Sequence, residues 1–508
     1  MSFRPNDKRI NLGDTWACFD GKKVHAFFLQ FQRSGEESGG TEVGAIGHAT
    51  SDDMLHWEQL PTAVRRGENG SYDDLEHWTG CTVFNDGKYY VFYTSRSSKT
   101  PDFSNSVTIS EDGVNFKKYE NNPLFTPDEK YYFGENVRPD IRFHGNYYPG
   151  KKEYDYRDFA VAYDKENGEW LGYYAVRLKG DNCAETAAIG LARSKDLLNW
   201  TQEPPCFVPK RYHVLETPDV FYMDGKWYLL CLSGNIYGQR HCSKDTVQYD
   251  RITFFAVADN PRGPFHEVSD NLLIANMNSS AACAKTILVG DKRFLFYTEV
   301  LEGAPTETDL FMSTPKEVAT ENGNLVLKWY NGVENYYSKK YNLNVQNKIL
   351  NDGPWGTIGN WDVKDNTVKG YCENDWCCQP FDVSLKNFVF EATVCCTDAE
   401  STAFLFDLGD SVFGGGHSVI LDYSLNQVLI TEFRRFNILD AHDFKFQKAE
   451  YNLRVYVNGF AVEIYLDNKL VLHHLLQREG GRLGLLVERG SAEFKNTVIN
   501  ELNPFREE

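Results

Sequence analysis

Apolar and aromatic residues gather along this chain in short runs, each entered through a glycine-containing turn. The runs read FDGKKVHAFFLQF from Phe19, NDGKYYVFYTS from Asn85, KENGEWLGYYAV from Lys165, MDGKWYLLCLS from Met223 and VGDKRFLFYTEV from Val289. A turn pair ahead of a strand-length apolar run predicts a hairpin. The copies recur at intervals of about 57 to 81 residues, turn to turn, which marks a repeat. A second signal follows several of them: ATSDDMLHWEQL from Ala49, TISEDGVNFKKY from Thr108 and LARSKDLLNWTQEP from Leu191. Each reads as a strand, a tight turn and an outer strand bearing an aromatic. One such hairpin cannot bury its apolar faces alone. Radial stacking into a five-bladed β-propeller buries them all. Unrelated hairpins in a sandwich would not keep this matched order of signals.

After about residue 300 the pattern changes. Residues 301–350 are polar and mixed and read as a connector. Alternating strands then return without the earlier turn signature, as in FVFEATVCC from Phe388, AFLFDLGD from Ala403 and VILDYSLNQVLITEF from Val419. YNLRVYVNGFAVEIYLDNKLVLHHL carries two hairpin turns, Asn458-Gly459 and Asp467-Asn468. The expectation is an all-β chain: a propeller over 1–300, a connector over 301–350, and an antiparallel β-sandwich over 351–508. The sandwich is expected to brace the propeller.

Composition narrows the picture. A chain of 508 residues exceeds one compact core. Its 29 Tyr, 10 Trp and 40 Gly favour strands and turns. The net charge of −19 argues against nucleic acid and anionic membranes as partners and leaves a neutral small molecule. No apolar run reaches membrane-span length, and the first residues, MSFRPNDKRINLGD, carry no apolar signal core. The 12 Cys form no regular framework. The group Cys372, Cys377, Cys378, Cys395 and Cys396 lacks the paired spacing of structural zinc and reads as strand thiols. A reduced, cytoplasmic protein is expected. Oligomeric state is not encoded in any of these features.

The innermost strand of each blade should precede the glycine turn, and its end should reach the central funnel. Asp14 lies 6 residues before Asp20, Asp158 lies 9 before Asn167, and Glu216 lies 8 before Asp224. These three acids are expected at equivalent positions, with Arg157 beside them. SSAACAKTIL, ahead of the last turn, offers no acid. Crowded carboxylates separate in proton affinity, so one can serve as an acid while another stays ionised. Glycosidic cleavage needs that division of labour. Trp16, Trp78 and Tyr212 are expected to stack on sugar faces. Each residue also has a plain structural reading: Asp14 capping a turn, Asp158 pairing Arg157, Glu216 facing solvent, Asp219 ordering its strand. The joint placement favours a site. H-E-x-x-H, P-loop, dinucleotide and G-x-S-x-G signatures are absent from the sequence.

GHATSDDMLHWEQLPTAV, residues 47–64, resembles the family 32 glycoside hydrolases, the β-fructofuranosidases, invertases and levanases. WTGCTVF, YRDF and LETPDVF resemble that family's serine-glycine, Arg-Asp-Pro and Glu-Cys-Pro segments, in the same order. The resemblance implies Asp14 as nucleophile, Glu216 as general acid/base, and Asp158 with Arg157 as the group that holds sugar hydroxyls and stabilises the transition state. It implies Trp78 and Gln30 in the sugar pocket. The family's Trp-Met-Asn-Asp-Pro-Asn-Gly is here NLGDTWA, so Gly13 replaces the Asn, and Phe159 and Thr217 replace a Pro and a Cys. The implied pocket is reshaped around retained acids.

The resulting expectation is a retaining, exo-acting hydrolase of a β-fructofuranoside or related oligosaccharide, with transglycosylation open to it and no metal or organic cofactor. Two alternatives stand beside it: an inverting arabinofuranosidase or xylosidase resembling family 43, and a non-catalytic sugar-binding propeller.

Overall fold

The computed structural model describes residues 3–33, 42–99, 103–126, 128, 130–132, 156–178, 185–234, 249–277, 281–302, 308–342, 358–364, 367–409, 415–433 and 435–503. Four four-stranded antiparallel sheets follow one another, each with its strands side by side in chain order. The first comprises Ile10–Phe19, Val24–Gln32, Ala45–Ser51 and Glu58–Val64. The second comprises Glu76–Asn85, Lys88–Arg96, Phe103–Ser110 and Lys117–Lys118. The third comprises Tyr156–Asp164, Glu169–Arg177, Ala187–Ser194 and Trp200–Phe207. The fourth comprises Glu216–Met223, Lys226–Ser233, Arg251–Ala258 and His266–Asn276. Ala281–Val289 then opens a further antiparallel run with Lys292–Glu302 and Thr308–Met312.

The repeated turns explain the hairpins. Asp86-Gly87 and Asp224-Gly225 have positive φ at both positions, 49° and 74°, and 45° and 85°. A type I′ turn demands this, and it matches the twist of the strands it joins. The second repeated signal is a side-chain device. Asp53, Asp112 and Asp196 each accept two backbone N–H groups two and three residues on, and a hydroxyl from Ser51, Ser110 or Ser194 two residues back. Three copies of one turn confirm a structural repeat.

Val24–Leu29 is buried throughout, because sheets pack on both faces. Trp16, Phe27 and Leu29 meet Tyr89, Val91 and Tyr93 between the first and second sheets. Phe92 and Val107 meet Phe159 and Tyr174 between the second and third. Tyr173 and Ile189 meet Leu229 and Phe254 between the third and fourth. Phe221 and Phe255 meet Leu295 and Tyr297, and Phe294, Phe296 and Met312 close back on Leu12, Ala26 and Phe28 of the first sheet. A bridge between Phe3 and Met312 fastens this closure. The architecture is a β-propeller.

The stretch read as a connector is folded where described. Thr308–Met312 and Lys316–Glu321 both pair with Lys292–Glu302, and Asn324–Lys328 pairs with Lys316–Glu321. These strands are short, five or six residues, so their periodicity is too brief to stand out in the sequence. Residues 343–350 lie outside the described residues.

In the C-terminal part, Thr367–Leu385 and Gly481–Leu502 pair along most of their length. Ser401–Leu408 and Phe388–Cys396 pair with different parts of Gly481–Leu502. Phe404, Phe406, Val419 and Ile430 meet Phe390, Val455 and Ile464 in one buried core, an arrangement consistent with the expected sandwich. Asp467-Asn468 is a two-residue turn with φ of 48° and 68°. Tyr173 and Leu229 share a core with Cys378, Leu405 and Leu486, which packs the propeller on the C-terminal strands. No helix among the described residues is long and apolar enough to cross a membrane.

Candidate active site

Each innermost strand carries a register break near its start. It falls between Leu12 and Thr15, Trp78 and Gly80, Arg157 and Ala160, Glu216 and Asp219, and Ala282 and Lys285. A bulge re-aims side chains at the strand end and exposes backbone donors. Asp158, Thr217 and Cys283 hold positive φ, 62°, 49° and 49°, at these breaks. The breaks correct the expectation of equivalent positions for the three acids. Glu216 is the last paired residue before its bulge, Asp158 is the first residue in its bulge, and Asp14 is the second in its own.

The three carboxylates are joined by one network. The Thr79 hydroxyl donates to Asp14 Oδ2. Arg157 Nη2 donates to Glu216 Oε1 at 2.6 Å, and Arg157 Nε lies 3.6 Å from Asp158 Oδ2. The Thr217 N–H donates to Asp158 Oδ2 at 2.9 Å. Thr94 links the two ends: its hydroxyl accepts the Asp158 N–H at 3.0 Å and donates to the Thr79 carbonyl at 3.1 Å. Asp158 is buried, while Asp14 and Glu216 keep partial exposure.

Burial is the main force on the two aspartates. It raises Asp14 above the ordinary carboxylate range; the Thr79 hydroxyl pulls it back, Glu216 adds repulsion, and Arg251 and Lys285 oppose that. Burial also raises Asp158, against the attraction of Arg157 and the Thr217 N–H, with Glu216 and Asp14 pushing the same way as burial. Both aspartates are thus held above the ordinary carboxylate range by burial.

Two expected sugar contacts are corrected. Trp16 is 2% exposed; its indole N–H donates to the Thr82 hydroxyl at 3.0 Å and its ring stacks on Phe27. It stands two residues below Asp14, about 7 Å along the strand, inside the wall between sheets. Tyr212 is 1% exposed, stacked on Phe254, with its hydroxyl donating to Glu267 Oε1 at 2.8 Å. The chain reaches Glu216 from the outer strand of the preceding sheet, so Tyr212 crosses the wall and not the mouth. Trp78 is half-buried beside Thr79, packed on Phe103 with the Arg96 guanidinium 5.0 Å from its ring centre. Gln30 is buried opposite Leu12 and accepts the Thr62 hydroxyl at 3.2 Å, which ties it to its own sheet. Asp219 accepts the Thr286 N–H and hydroxyl at 3.0 and 2.7 Å, the structural role open to it.

Sequence reasoning missed Thr94 and Lys285. Lys285 is 3% exposed, and its Nζ donates to the Pro218 carbonyl at 2.5 Å. A lysine inside the apolar stretch AACAKTIL was the available signal. Gly13 explains one departure from the resembled motif. A Cβ there would stand 2.4 Å from the Phe31 ring and 2.8 Å from Leu29 Cβ, so Phe31 fills the space a side chain would take.

Glu299, Glu463 and His473 lie close enough to hold a metal ion. Glu463 already takes Lys316 at 2.7 Å, Thr314 at 3.2 Å and Tyr465 at 2.5 Å, and His473 Nε2 faces Glu299 at 3.3 Å. The Lys316 ammonium thus already supplies a cation to Glu463. Ten described cysteines, including Cys372, Cys377, Cys378, Cys395 and Cys396, are free thiols.

Residues 3–380 match the model of the glycosyl hydrolases family 32 N-terminal domain. A levanbiose-producing levanase of Bacillus subtilis is 27% identical over 239 residues, covering 45% of this chain and 39% of that protein. A sucrose-6-phosphate hydrolase of Zymomonas mobilis is 27% identical over 200 residues, 36% of this chain and 33% of its own. The chain spans less than half the length of these curated relatives. Among solved structures, a β-fructofuranosidase of Bombyx mori in complex with sucrose superposes with a TM-score of 0.67 at 15% identity, over 98% of this chain and 93% of that one. A sucrose-6-phosphate hydrolase of Lactobacillus gasseri gives 0.72 at 11% identity, over 98% and 93%. At these identities the superpositions speak to the fold.

Proposed function

This chain belongs to glycosyl hydrolase family 32, and from that membership we propose that it is a retaining, exo-acting hydrolase of β-fructofuranosides or related oligosaccharides. The observation that carries the reading is the single network joining Asp14, Asp158, Arg157 and Glu216 at the strand ends. Asp14 Oδ attacks the anomeric carbon as the glycosidic C–O bond breaks, and the leaving oxygen takes the Glu216 proton. Glu216, now a carboxylate, then takes a proton from water, whose oxygen displaces Asp14 and releases the sugar. Asp158 and Arg157 hold ring hydroxyls and stabilise the oxocarbenium-like charge. Trp78, next to Thr79, borders the pocket.

The same reading gives the last antiparallel run, Ala281 onward, as the fifth blade. Its register break and its closure on the first sheet support that count. The pairing of Lys316–Glu321 and Asn324–Lys328 supports a propeller boundary near Lys328, with the C-terminal sandwich acting as a brace. The substrate is a small carbohydrate, and the free thiols support a reducing, cytoplasmic setting.

The test is incubation with sucrose, short inulin- and levan-type oligosaccharides and aryl furanosides, following the first-formed anomer by NMR. Release of terminal fructose with retained configuration is expected, and Asp14→Asn should abolish turnover with an unchanged melting temperature. First-formed inverted sugar would move Asp14 to the role of general base. Binding without product from any furanoside would leave a sugar-binding propeller.

A further inference from the structure

Lys285 is a buried cation whose purpose neither the fold nor the acid triad has yet explained. It lies on Ala281–Val289, immediately after the register break, paired in register with Phe296. Its Nζ reaches across to the fourth sheet and donates to the Pro218 carbonyl. Pro218 sits in the bulge between Glu216 and Asp219, next to Thr217, whose N–H holds Asp158. Among the described residues Lys285 forms no ion pair with a carboxylate, and its side chain has no solvent to pay for desolvation. A buried ammonium without a direct counter-ion is costly unless nearby charge compensates it at longer range.

The strand that carries Lys285 packs against the inner strands that carry Asp14 and Glu216, and Asp14 feels its charge. Arg157 is already committed to Glu216 and Asp158. The cations left to act on Asp14 are Arg251 and Lys285, against Glu216.

We propose that Lys285 is a positioning residue of the active site: through the Pro218 carbonyl it fixes the bulge that carries Glu216 and the Thr217 amide, and it sets a positive charge beside the inner strands of Asp14 and Glu216. This rests on the proposed glycosidase reading. The groups that face Asp14 are Thr79 from the second sheet, Glu216 and Arg251 from the fourth, Lys285 and Cys283 from the strand at 281–289, and Asp158 from the third. Lys285 is the buried cation among them whose head group is hydrogen-bonded to the chain that carries Glu216.

The test compares the full-length protein with Lys285→Met and Lys285→Arg. On the best fructoside found for the wild type, Lys285→Met is expected to lower kcat roughly 10- to 100-fold with KM within about threefold. The acidic limb of its kcat/KM profile should move up by about one pH unit. Lys285→Arg, which keeps the charge, should return the limb towards the wild-type position even where kcat stays low. An unmoved limb in Lys285→Met, or a limb displaced equally in both variants, overturns the proposal. A second readout does not need activity. In protein carrying 13C-carboxyl aspartate, the Asp14 signal, assigned by its loss in Asp14→Asn, should titrate higher in Lys285→Met than in wild type. If no fructoside is cleaved but this signal shifts, the glycosidase reading fails while the electrostatic role of Lys285 stands. If both variants fail to fold, the Asp14 titration in wild type at low and high salt decides. A buried cation predicts little salt dependence, and a large one refutes it.

Discussion

Thr79→Val removes one hydroxyl and keeps the branched shape of a residue that is 2% exposed. That hydroxyl is the donor to Asp14 Oδ2, and it is the largest influence lowering the proton affinity of Asp14 against burial. A hydrogen bond to a charged group contributes about 1.5–3 kcal/mol. Since one pKa unit corresponds to about 1.36 kcal/mol, the Asp14 carboxyl should rise by about one to two units. The sign is fixed: losing a group that stabilises the carboxylate leaves more of Asp14 protonated at a given acidic pH, and a protonated carboxyl does not attack. The acidic limb of kcat/KM should therefore move up by one to two units. Below the limb the variant should be about 10- to 100-fold slower, and on the plateau above it within a few-fold of wild type. The Thr94 link to the Thr79 carbonyl is untouched by the change, so the strand should hold its place. Thr79→Ser, which restores the donor, should restore the limb. Equal loss at every pH, with no movement of the limb, would refute the role assigned to this hydrogen bond.

Two further outcomes follow from the site geometry. Burial raises Asp158, so between the ordinary carboxylate range and its raised value the folded protein binds more protons than the unfolded chain, and this residue's contribution to stability falls as pH rises. Urea unfolding of Asp158→Asn should therefore gain on the order of 2 kcal/mol relative to wild type between pH 4 and pH 8, while turnover is lost; a pH-independent difference contradicts this. Gly13→Ala places a Cβ against the Phe31 ring and should cost about 1–3 kcal/mol, most of it recovered in Gly13→Ala with Phe31→Ala. Strict additivity in that thermal-melt cycle would show that the ring is not what excludes the side chain.

Much of the propeller was legible because its rules are local. Asp-Gly at a two-residue turn is required by two positive φ values, and the Ser-x-Asp turn is satisfied by atoms within five residues of each other. Asp14, Asp158 and Glu216 could be placed on innermost strands because each lies a strand's length ahead of such a turn. Their one-residue offsets were not legible, since strands buried on both faces show no alternation for an inserted residue to interrupt. Trp16 and Tyr212 were misread for a related reason: sequence distance from Asp14 or Glu216 says nothing of depth in the wall or of the direction of approach. Lys285 was not legible as buried because a lone lysine in a strand reads equally well as a surface residue, although its apolar neighbours are a sign of buried charge.

Under the proposed mechanism the offsets divide the work of the three acids. A regular strand end would present the same position from every sheet, and like carboxylates would crowd one level. Here Asp158 occupies the first place in its bulge with φ of 62°, a conformation that costs a non-glycine residue on the order of 1 kcal/mol. Its backbone N–H is thereby given to Thr94 and its carboxylate to the Thr217 N–H, which offsets the strain and seals it from water. An acid so enclosed is poorly placed to pass a proton to a leaving group or to an attacking water. Glu216, one place earlier, and Asp14, one place later, retain the exposure those exchanges require. Under the proposed mechanism the buried acid holds the substrate, and the two partly open ones make and break the bond. The proposed mechanism then gives the hydroxyl of Thr79 and the ammonium of Lys285 their part: an acid that attacks as an anion beside two others needs donors and positive charge that cannot drift away.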